Sequence, residues 1–258
     1  MGVVNVTPDS FSDGGKYVDP DAAIAHGLEL LADGADILDI GGESTRPGAR
    51  RPTVQEELDR VIPVITALAS RATVSVDTMR AEVAEQAIAA GAGIVNDVSG
   101  GLADPEILQV AASSDVTYVA MHWRGHADVM TDLATYDGDV VSIVKRELQE
   151  RIDAATAAGI EKLVVDPGLG FAKTATHNWE VLRRIDELEE LGRPVLVGAS
   201  RKSFLGRLLG DRPVEDREAA TVAVTCHLAE SRVWAIRVHD VRASADALAV
   251  SRELGKVR

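Results

Sequence analysis

The chain has 258 residues, 46% of them hydrophobic and 26% charged, with a formal charge of −14. That length suits one α/β barrel with a substantial core, and the acidity argues against general nucleic-acid binding, which needs a basic surface. No apolar run reaches bilayer-spanning length, and the start lacks the basic and apolar regions of a signal peptide. Met1 falls almost directly on the first strand, so an upstream portion is expected. The single cysteine, Cys226, has no partner for an internal disulfide. Among Val224, Leu228 and Ala229 it reads as an inert core thiol, and a reducing cytoplasm is the expected compartment.

Met1 to Val4 is a short apolar run that reads as a strand. The stretch Asn5-Val6-Thr7-Pro8-Asp9-Ser10-Phe11-Ser12-Asp13-Gly14-Gly15 then breaks the pattern. Pro8 fixes one φ angle and Gly14-Gly15 frees two others, which makes a loop. Loops this rich in amide, carboxylate and hydroxyl groups usually serve a site. Asp19-Pro20 opens a helix, with a carboxylate at the N-cap and proline at the first helical position. Ile24, Gly27, Leu28 and Leu31 share one face of it.

Three helix ends pass through a glycine into an apolar run and then a polar residue. Asp33-Gly34-Ala35-Asp36 leads into Ile37-Leu38-Asp39-Ile40. Ala90-Gly91-Ala92-Gly93 leads into Ile94-Val95-Asn96, and Ala158-Gly159-Ile160 leads into Leu163-Val164-Val165-Asp166. Glycine past a helix end supplies the left-handed conformation that stops it, and continuous apolar runs suit strands covered on both faces. Val54, Leu58, Val61, Ile62 and Ile65 mark a second amphipathic helix. Asp104-Pro105 is expected to cap another, carrying Ile107, Val110 and Ala111. Segments 140–157, 181–191, 219–229 and 243–254 complete the helical set.

The strands are expected at 1–5, 36–40, 72–77, 93–96, 117–121, 162–166, 194–198 and 234–238. Eight alternating units predict an α/β fold, a closed TIM (β/α)8 barrel forming one domain over 1–258. A doubly wound open sheet would need a glycine fingerprint after the first strand, where the Pro8–Gly15 loop stands instead.

In such a barrel the C-terminal strand ends share one face, where active sites are built. Those ends carry Asn5; Gly41 to Pro47; Asp77; Asn96-Asp97; His122; Asp166-Pro167-Gly168; Ser200-Arg201-Lys202; and Arg237-Val238-His239-Asp240. Each alone has a structural explanation: Asp77 or Asp97 as a helix cap, Asp166-Pro-Gly as a turn, His122 as a satisfied polar group near the core. A polar group at all eight ends is harder to explain that way. His122 and His126 are four apart, but Arg124-Gly125 between them argues against a zinc-binding helix.

Two chemical sets stand out. Asp77, Asn96 and Asp166 are acceptor-rich and suit a flat heterocycle displaying several N–H donors. Arg46, Arg237 and His239 are donor-rich and suit phosphate or diphosphate. Asn5 offers an oxygen to Mg²⁺, which binds oxygen ligands alongside waters and substrate phosphates. One opposite-charge pair at about 4 Å is worth about 4 kcal/mol at an effective dielectric of 20. Scattered surface charges are screened beyond about 10 Å, so a local basic cluster outweighs the global acidity.

The motifs carrying these residues resemble those of the dihydropteroate synthase family of pterin-binding enzymes, along the whole chain. Met1 to Gly15 looks like the family's first signature, and Asp39-Ile-Gly-Gly-Glu-Ser-Thr-Arg-Pro-Gly48 like its second. Ser75 to Thr78, Asn96 to Gly100, Asp166 to Phe171, Gly198 to Ser203 and Arg237 to Asp240 complete the pattern. The resemblance implies condensation of 6-hydroxymethyl-7,8-dihydropterin diphosphate with 4-aminobenzoate to 7,8-dihydropteroate and diphosphate. It implies Mg²⁺ dependence, small-molecule substrates with no nucleic-acid or membrane partner, a homodimer, and sensitivity to sulfonamides. It places Asp77, Asn96, Asp166 and Lys202 on the pterin, and Asn5, Thr45, Arg46, Arg237 and His239 on the diphosphate and its metal. Thr45, Arg46 and Pro47 belong to a second loop of the family pattern. Phe11, Phe171, Thr45, Pro47 and Ser203 fall to 4-aminobenzoate.

On this reading the pterin carbon loses diphosphate before the aniline nitrogen attacks, with Asp13, Lys202 and Arg46 as the catalytic set and Asp13 stabilising the cation. Three alternatives are weighed against it. A pterin-dependent methyltransferase has no need of the Asn5–Gly15 loop or the Arg237/His239 pair. A Schiff-base aldolase would use Lys202 as nucleophile. A non-catalytic pterin-binding paralogue could lose Asp13, Lys202 or Arg46, yet all are present.

Overall fold

The computed structural model describes residues 1–7, 19–44, 50–126, 129 and 132–255. Among them the expected strands are all found, β5 as expected and the others shifted by a residue or shortened: β1 Gly2–Asn5, β2 Ile37–Gly41, β3 Thr73–Asp77, β4 Ile94–Asp97, β5 Thr117–Met121, β6 Leu163–Asp166, β7 Leu196–Val197 and β8 Ala235–Ile236. β1 to β6 pair in sequence order, each parallel to the next, and β7 pairs with β8. Parallel bridges Val165–Val195 and Gly2–Val238 join the two sheets at both seams. Backbone hydrogen bonds carry those joins, from Val165 N to Pro194 O at 2.9 Å and from Val3 N to Val238 O at 3.0 Å. The result is the expected closed parallel barrel.

Helices cover the outside of the barrel: α1 Pro20–Ala32, α2 Val54–Leu68, α3 Ala81–Ala89, α4 Glu106–Ala112, α5 Val140–Ala158, α6 Ala175–Arg183, α7 Ser203–Leu208, α8 Glu218–Leu228 and α9 Val241–Gly255. The Asp19 carboxylate caps α1 by accepting from Asp21 N at 2.9 Å, with Pro20 in the first turn. α2 starts with a capping box, Thr53 and Glu56 each accepting from the other's backbone N–H. α5 ends at Gly159, whose φ of 98° a β-carbon would strain. The main core lies between barrel and helices, around buried Val4, Leu38, Ile40, Val61, Ile65 and Val76.

Four expectations need correction. Segment 181–191 is not one helix: α6 ends at Arg183 and a 3-10 turn runs Ile185–Leu191, because Arg184 leaves helical geometry at ψ 28°. Asp104 stands one residue before the N-cap position of α4, which Pro105 occupies. It still accepts from Glu106 N at 3.3 Å, and its second oxygen accepts from Ala81 N at 2.7 Å, so it serves the starts of both α4 and α3. α3 was marked only by its end at Ala90-Gly91, and α7 was not anticipated; α3 is nine residues long and α7 six. Cys226 is exposed, because Val224, Thr225 and Leu228 of α8 turn inward and it faces out.

Candidate active site

Alternation along the strands builds the site. A small apolar plug fills the barrel, formed by Met1, Ile94, Val119, Val164 and Leu196, with Ile37 and Ala235 packed on it. Side chains two residues further along a strand share its face. That step leads from Ile37 to Asp39, from Ile94 to Asn96, from Val164 to Asp166 and from Ala235 to Arg237. A polar ring therefore sits directly above a dry floor.

Arg237 is the hub of that ring. Its Nε donates to Asp39 Oδ2 at 2.5 Å and its Nη2 to Asp77 Oδ2 at 2.8 Å. Asn96 Nδ2 also donates to Asp39 Oδ2, at 3.1 Å. Asp39 is fully buried, and its Oδ1 has no hydrogen-bond partner among the described residues. Burial works against the Arg237 charge, but the Asp39 and Asp77 carboxylates outweigh it and push its pKa up. Burial lifts Asp77 to about 7, with Arg237 opposing and Asp39 adding to the rise.

Asp166 joins the ring from β6 and is 6% exposed. Its Oδ1 accepts from Gly168 N at 2.7 Å, and burial raises its pKa while Lys202, the Gly168 N–H, Lys173 and Arg237 pull it down. A β-carbon at Gly198 would lie 3.7 Å from Arg237 Cβ and 4.0 Å from Asp166 Oδ2, so Asp166 and Arg237 flank one spot on β7's inner face. Gly168 is irreplaceable on geometry: φ is 65°, and a β-carbon would lie 2.2 Å from the His122 carbonyl oxygen. Lys202 donates to Leu169 O, and its ammonium lies 4.7 Å from the Phe171 ring centroid. Burial lowers Lys202 to about 8.

Other strand ends divide between the rim and the scaffold. His239 follows β8, and its Nδ1 lies 2.9 Å from Ser200 Oγ. Asn5 ends β1, beside Gly41 of β2. Phe171 packs against Met79, Val98 and Met121, an apolar shelf beyond β3, β4 and β5. Ser203 is exposed at the start of α7. Asp97 and His122 are structural: His122 is a satisfied polar group near the core, as the simpler explanation held, whereas Asp97 ties down the turn after β4 and caps no helix. Asp97 accepts from Ser99, Gly101 and the Tyr118 hydroxyl, and His122 is bonded to Glu147 and Lys173. Asp39 is the ring member that sequence reasoning missed. The signal was available: it stands two residues after an apolar strand residue, as Asn96, Asp166 and Arg237 do.

Phe11, Asp13, Thr45, Arg46 and Pro47 lie outside the described residues. The flanks of 45–49 are firmly held. Arg51 Nε donates to Glu43 Oε1 at 2.7 Å, Arg60 Nη1 to Gly42 O at 2.7 Å and Arg80 Nη2 to Pro52 O at 2.7 Å. Arg80 Nη1 and the Thr78 hydroxyl both donate to the buried Glu57 carboxylate, each at 2.7 Å.

A ring of buried acceptors around one arginine, with a lysine and a histidine on its rim, can hold a planar ring of N–H donors beside an anion. Comparison with known proteins points the same way. The family model described as pterin binding enzyme matches residues 1–239. A dihydropteroate synthase of Mycobacterium leprae is 51% identical over 262 residues, spanning 97% of this chain and 91% of that protein. A Xanthomonas albilineans dihydropteroate synthase solved with 4-aminobenzoic acid superposes with a TM-score of 0.92 at 49% identity, covering 100% of this chain and 93% of the other. The Xanthomonas albilineans enzyme solved with 7,8-dihydropteroate gives 0.89 at 46% identity, covering 100% and 94%.

Proposed function

The chain belongs to the pterin-binding enzyme family and has dihydropteroate synthase function, and from that premise we propose how its residues divide the work. The observation that carries the assignment is the convergence of Asp39, Asp77, Asn96, Asp166 and Arg237 on one buried ring. Asp77, Asn96 and Asp166 accept hydrogen bonds from the pterin's amino and ring N–H groups. Charge-assisted bonds of this kind contribute about 1.5–3 kcal/mol each. The unpartnered Oδ1 of Asp39 adds an acceptor beneath them. Lys202 lies against the pterin edge, between the Leu169 carbonyl and the Phe171 ring.

The diphosphate falls to Asn5, Thr45, Arg46, Arg237 and His239. One N–H each of Arg237's Nε and Nη2 holds Asp39 and Asp77, which, among the described residues, leaves both hydrogens of Nη1 and the second of Nη2 to donate to an anion. Mg²⁺ fits this donor set: Asn5 supplies one amide oxygen, and Mg²⁺ usually takes its other ligands from water and phosphate. When bound, the ion would neutralise charge on the departing diphosphate. Phe11 and Phe171 pack on the aminobenzoate ring, Pro47 belongs to the same subsite, and Ser203, Lys202 and Thr45 meet its carboxylate.

C–O cleavage precedes attack by the aniline nitrogen. Asp13 stabilises the cationic pterin carbon, and the loops 8–15 and 45–51 exclude competing water. Asp13→Ala should therefore lower kcat by at least about tenfold while leaving diphosphate-substrate binding within about twofold; steady-state kinetics with equal kcat would remove Asp13 from the chemistry. The barrel works as a cytoplasmic homodimer, a point that light scattering tests directly. The decisive assay for the whole assignment is diphosphate release. Sustained release should require pterin diphosphate, 4-aminobenzoate and Mg²⁺ together, and release at an undiminished rate without aminobenzoate would overturn the assignment.

A further inference from the structure

Behind the Asp166 loop lies a chain of ionisable groups that the proposed chemistry leaves unused. Lys173, 9% exposed, directs its Nζ to three acceptors: His122 Nδ1 at 2.7 Å, Gly168 O at 3.1 Å and Phe171 O at 3.3 Å. Three acceptors match the three N–H bonds of an ammonium, whereas a neutral amine has two. His122 then presents a bare Nδ1 to Lys173 and donates its Nε2–H to Glu147 Oε2 at 2.8 Å. Arg124 holds both oxygens of Glu147, through Nε at 2.9 Å and Nη2 at 2.6 Å. Burial, seconded by the Lys173 charge, lowers His122 to about 4, so it stays neutral near pH 7.

The backbone is bent to make this possible. Ala172, between Phe171 and Lys173, has φ 43°, a region that a β-carbon penalises. Its carbonyl accepts from the Tyr136 hydroxyl at 2.9 Å, and Gly170 N donates to Asn178 Oδ1 at 2.7 Å. Strain of this kind persists where surrounding contacts over-determine the conformation. Here it turns Lys173 back beneath the loop that carries Asp166 and Phe171.

We propose that Lys173 is a positioning residue of the pterin site: seated on neutral His122, its ammonium clamps the Gly168 and Phe171 carbonyls and holds buried Asp166 as a carboxylate. It touches no substrate, and the inference rests on the reading of Asp166 as a pterin acceptor. Charged groups reach Asp166 from three places: Lys173 on its own loop, Lys202 after β7 and Arg237 directly after β8. Burial works against the Lys173 charge and moves its pKa well below the usual lysine range; the Asp166 and Glu147 carboxylates oppose that fall and Lys202 and Arg124 add to it, so the charge rests on the three acceptors at Nζ. Burial raises Asp166 and the cations oppose it. With one cation gone, Asp166 protonates at higher pH, and an acceptor role fails as pH falls through that value.

The test is Lys173→Met, with pteroic acid binding followed by calorimetry from about pH 7 to about pH 5.5, where Lys202 keeps its charge. The ratio of variant to parent Kd should grow by about tenfold as pH falls, because each unit of differential pKa is a factor of ten. A ratio that stays flat, which a purely structural lysine would give, overturns the proposal. Asp166→Asn separates the two readings. If it binds pteroic acid as the parent does, the acceptor role of Asp166 falls and the proposal with it. If it fails to bind while the Lys173→Met ratio stays flat, only the role of Lys173 falls. Should Lys173→Met not fold, ¹⁵N NMR of His122 in the parent decides. A neutral, Nε2-protonated ring at about pH 5.5 is expected, and titration near the ordinary value of about 6.5 overturns the proposal.

Discussion

At the scale of single residues, the site works through groups whose protonation burial has moved. Asp77 stands at about 7 and Lys202 at about 8. Asp77 accepts charge-assisted bonds only when ionised, so that part of its contribution is lost as pH falls through 7. The ammonium of Lys202 is lost as pH rises through 8. The profile of kcat/KM should therefore be a narrow bell with its limbs near those values, and Lys202→Arg should carry the alkaline limb upward; a flat profile between about pH 5 and 9 would contradict both assignments. Asp166→Ala should weaken pterin binding by about two orders of magnitude, the loss of one to two charge-assisted bonds, with the circular dichroism spectrum unchanged. Unaltered pterin affinity by calorimetry would remove it from the site. Asp77, Asn96 and Asp166 were legible in the sequence because each follows an apolar strand. Asp39 was not, because its ionisable group lies inside the strand, where only the inward step from Ile37 reveals it. The partners of Arg237 were not legible either, since β8 meets β2 and β3 only across the barrel.

At the scale of elements, the strands were easy to find because each is a short apolar run after a helix stop. The helices were harder where packing, not capping, defines them. α3 begins at Ala81 with no side-chain cap from its own N-cap residue, Arg80. Its cap comes from Asp104, more than twenty residues away, through a 2.7 Å bond to Ala81 N. A sequence window cannot see that. Asp104→Ala should cost about 1–2 kcal/mol of stability, since it uncaps α3 and loosens the start of α4 together. Chemical denaturation measures it, and a loss below about 0.3 kcal/mol would show the two bonds to be incidental. The 3-10 turn Ile185–Leu191 escaped for the opposite reason: its apolar residues keep helical spacing, and only the Arg184 backbone marks the break.

At the scale of the whole molecule, the barrel is unevenly knit. β1 to β6 form a continuous parallel ladder, whereas β7 and β8 have two residues each and join the ladder through single bridges. Amide exchange should accordingly be fastest, among the strands, at Leu196, Val197, Ala235 and Ile236, and slowest in β2 to β5. Uniform protection around the ring, read by hydrogen–deuterium exchange, would refute that ordering. The two weakly knit strands lead to Lys202, Arg237 and His239, whereas Asn5, Asp39, Asp77, Asn96 and Asp166 stand on the continuous ladder.

The plug of Ile94, Val119, Val164 and Leu196 has a bearing on how such a barrel can be retuned. Asn96 and Asp166 are each rooted two positions above a plug residue on the same strand, and Asp39 and Arg237 two above residues packed on it, so the bulk of the plug bears on the height of those four. Enlarging or trimming Val164 or Ile94 by a methylene would tilt Asp166 or Asn96 without altering a single polar atom. Hydrocarbon alone, at positions beneath the polar ring, can thus shift the geometry of the groups above it.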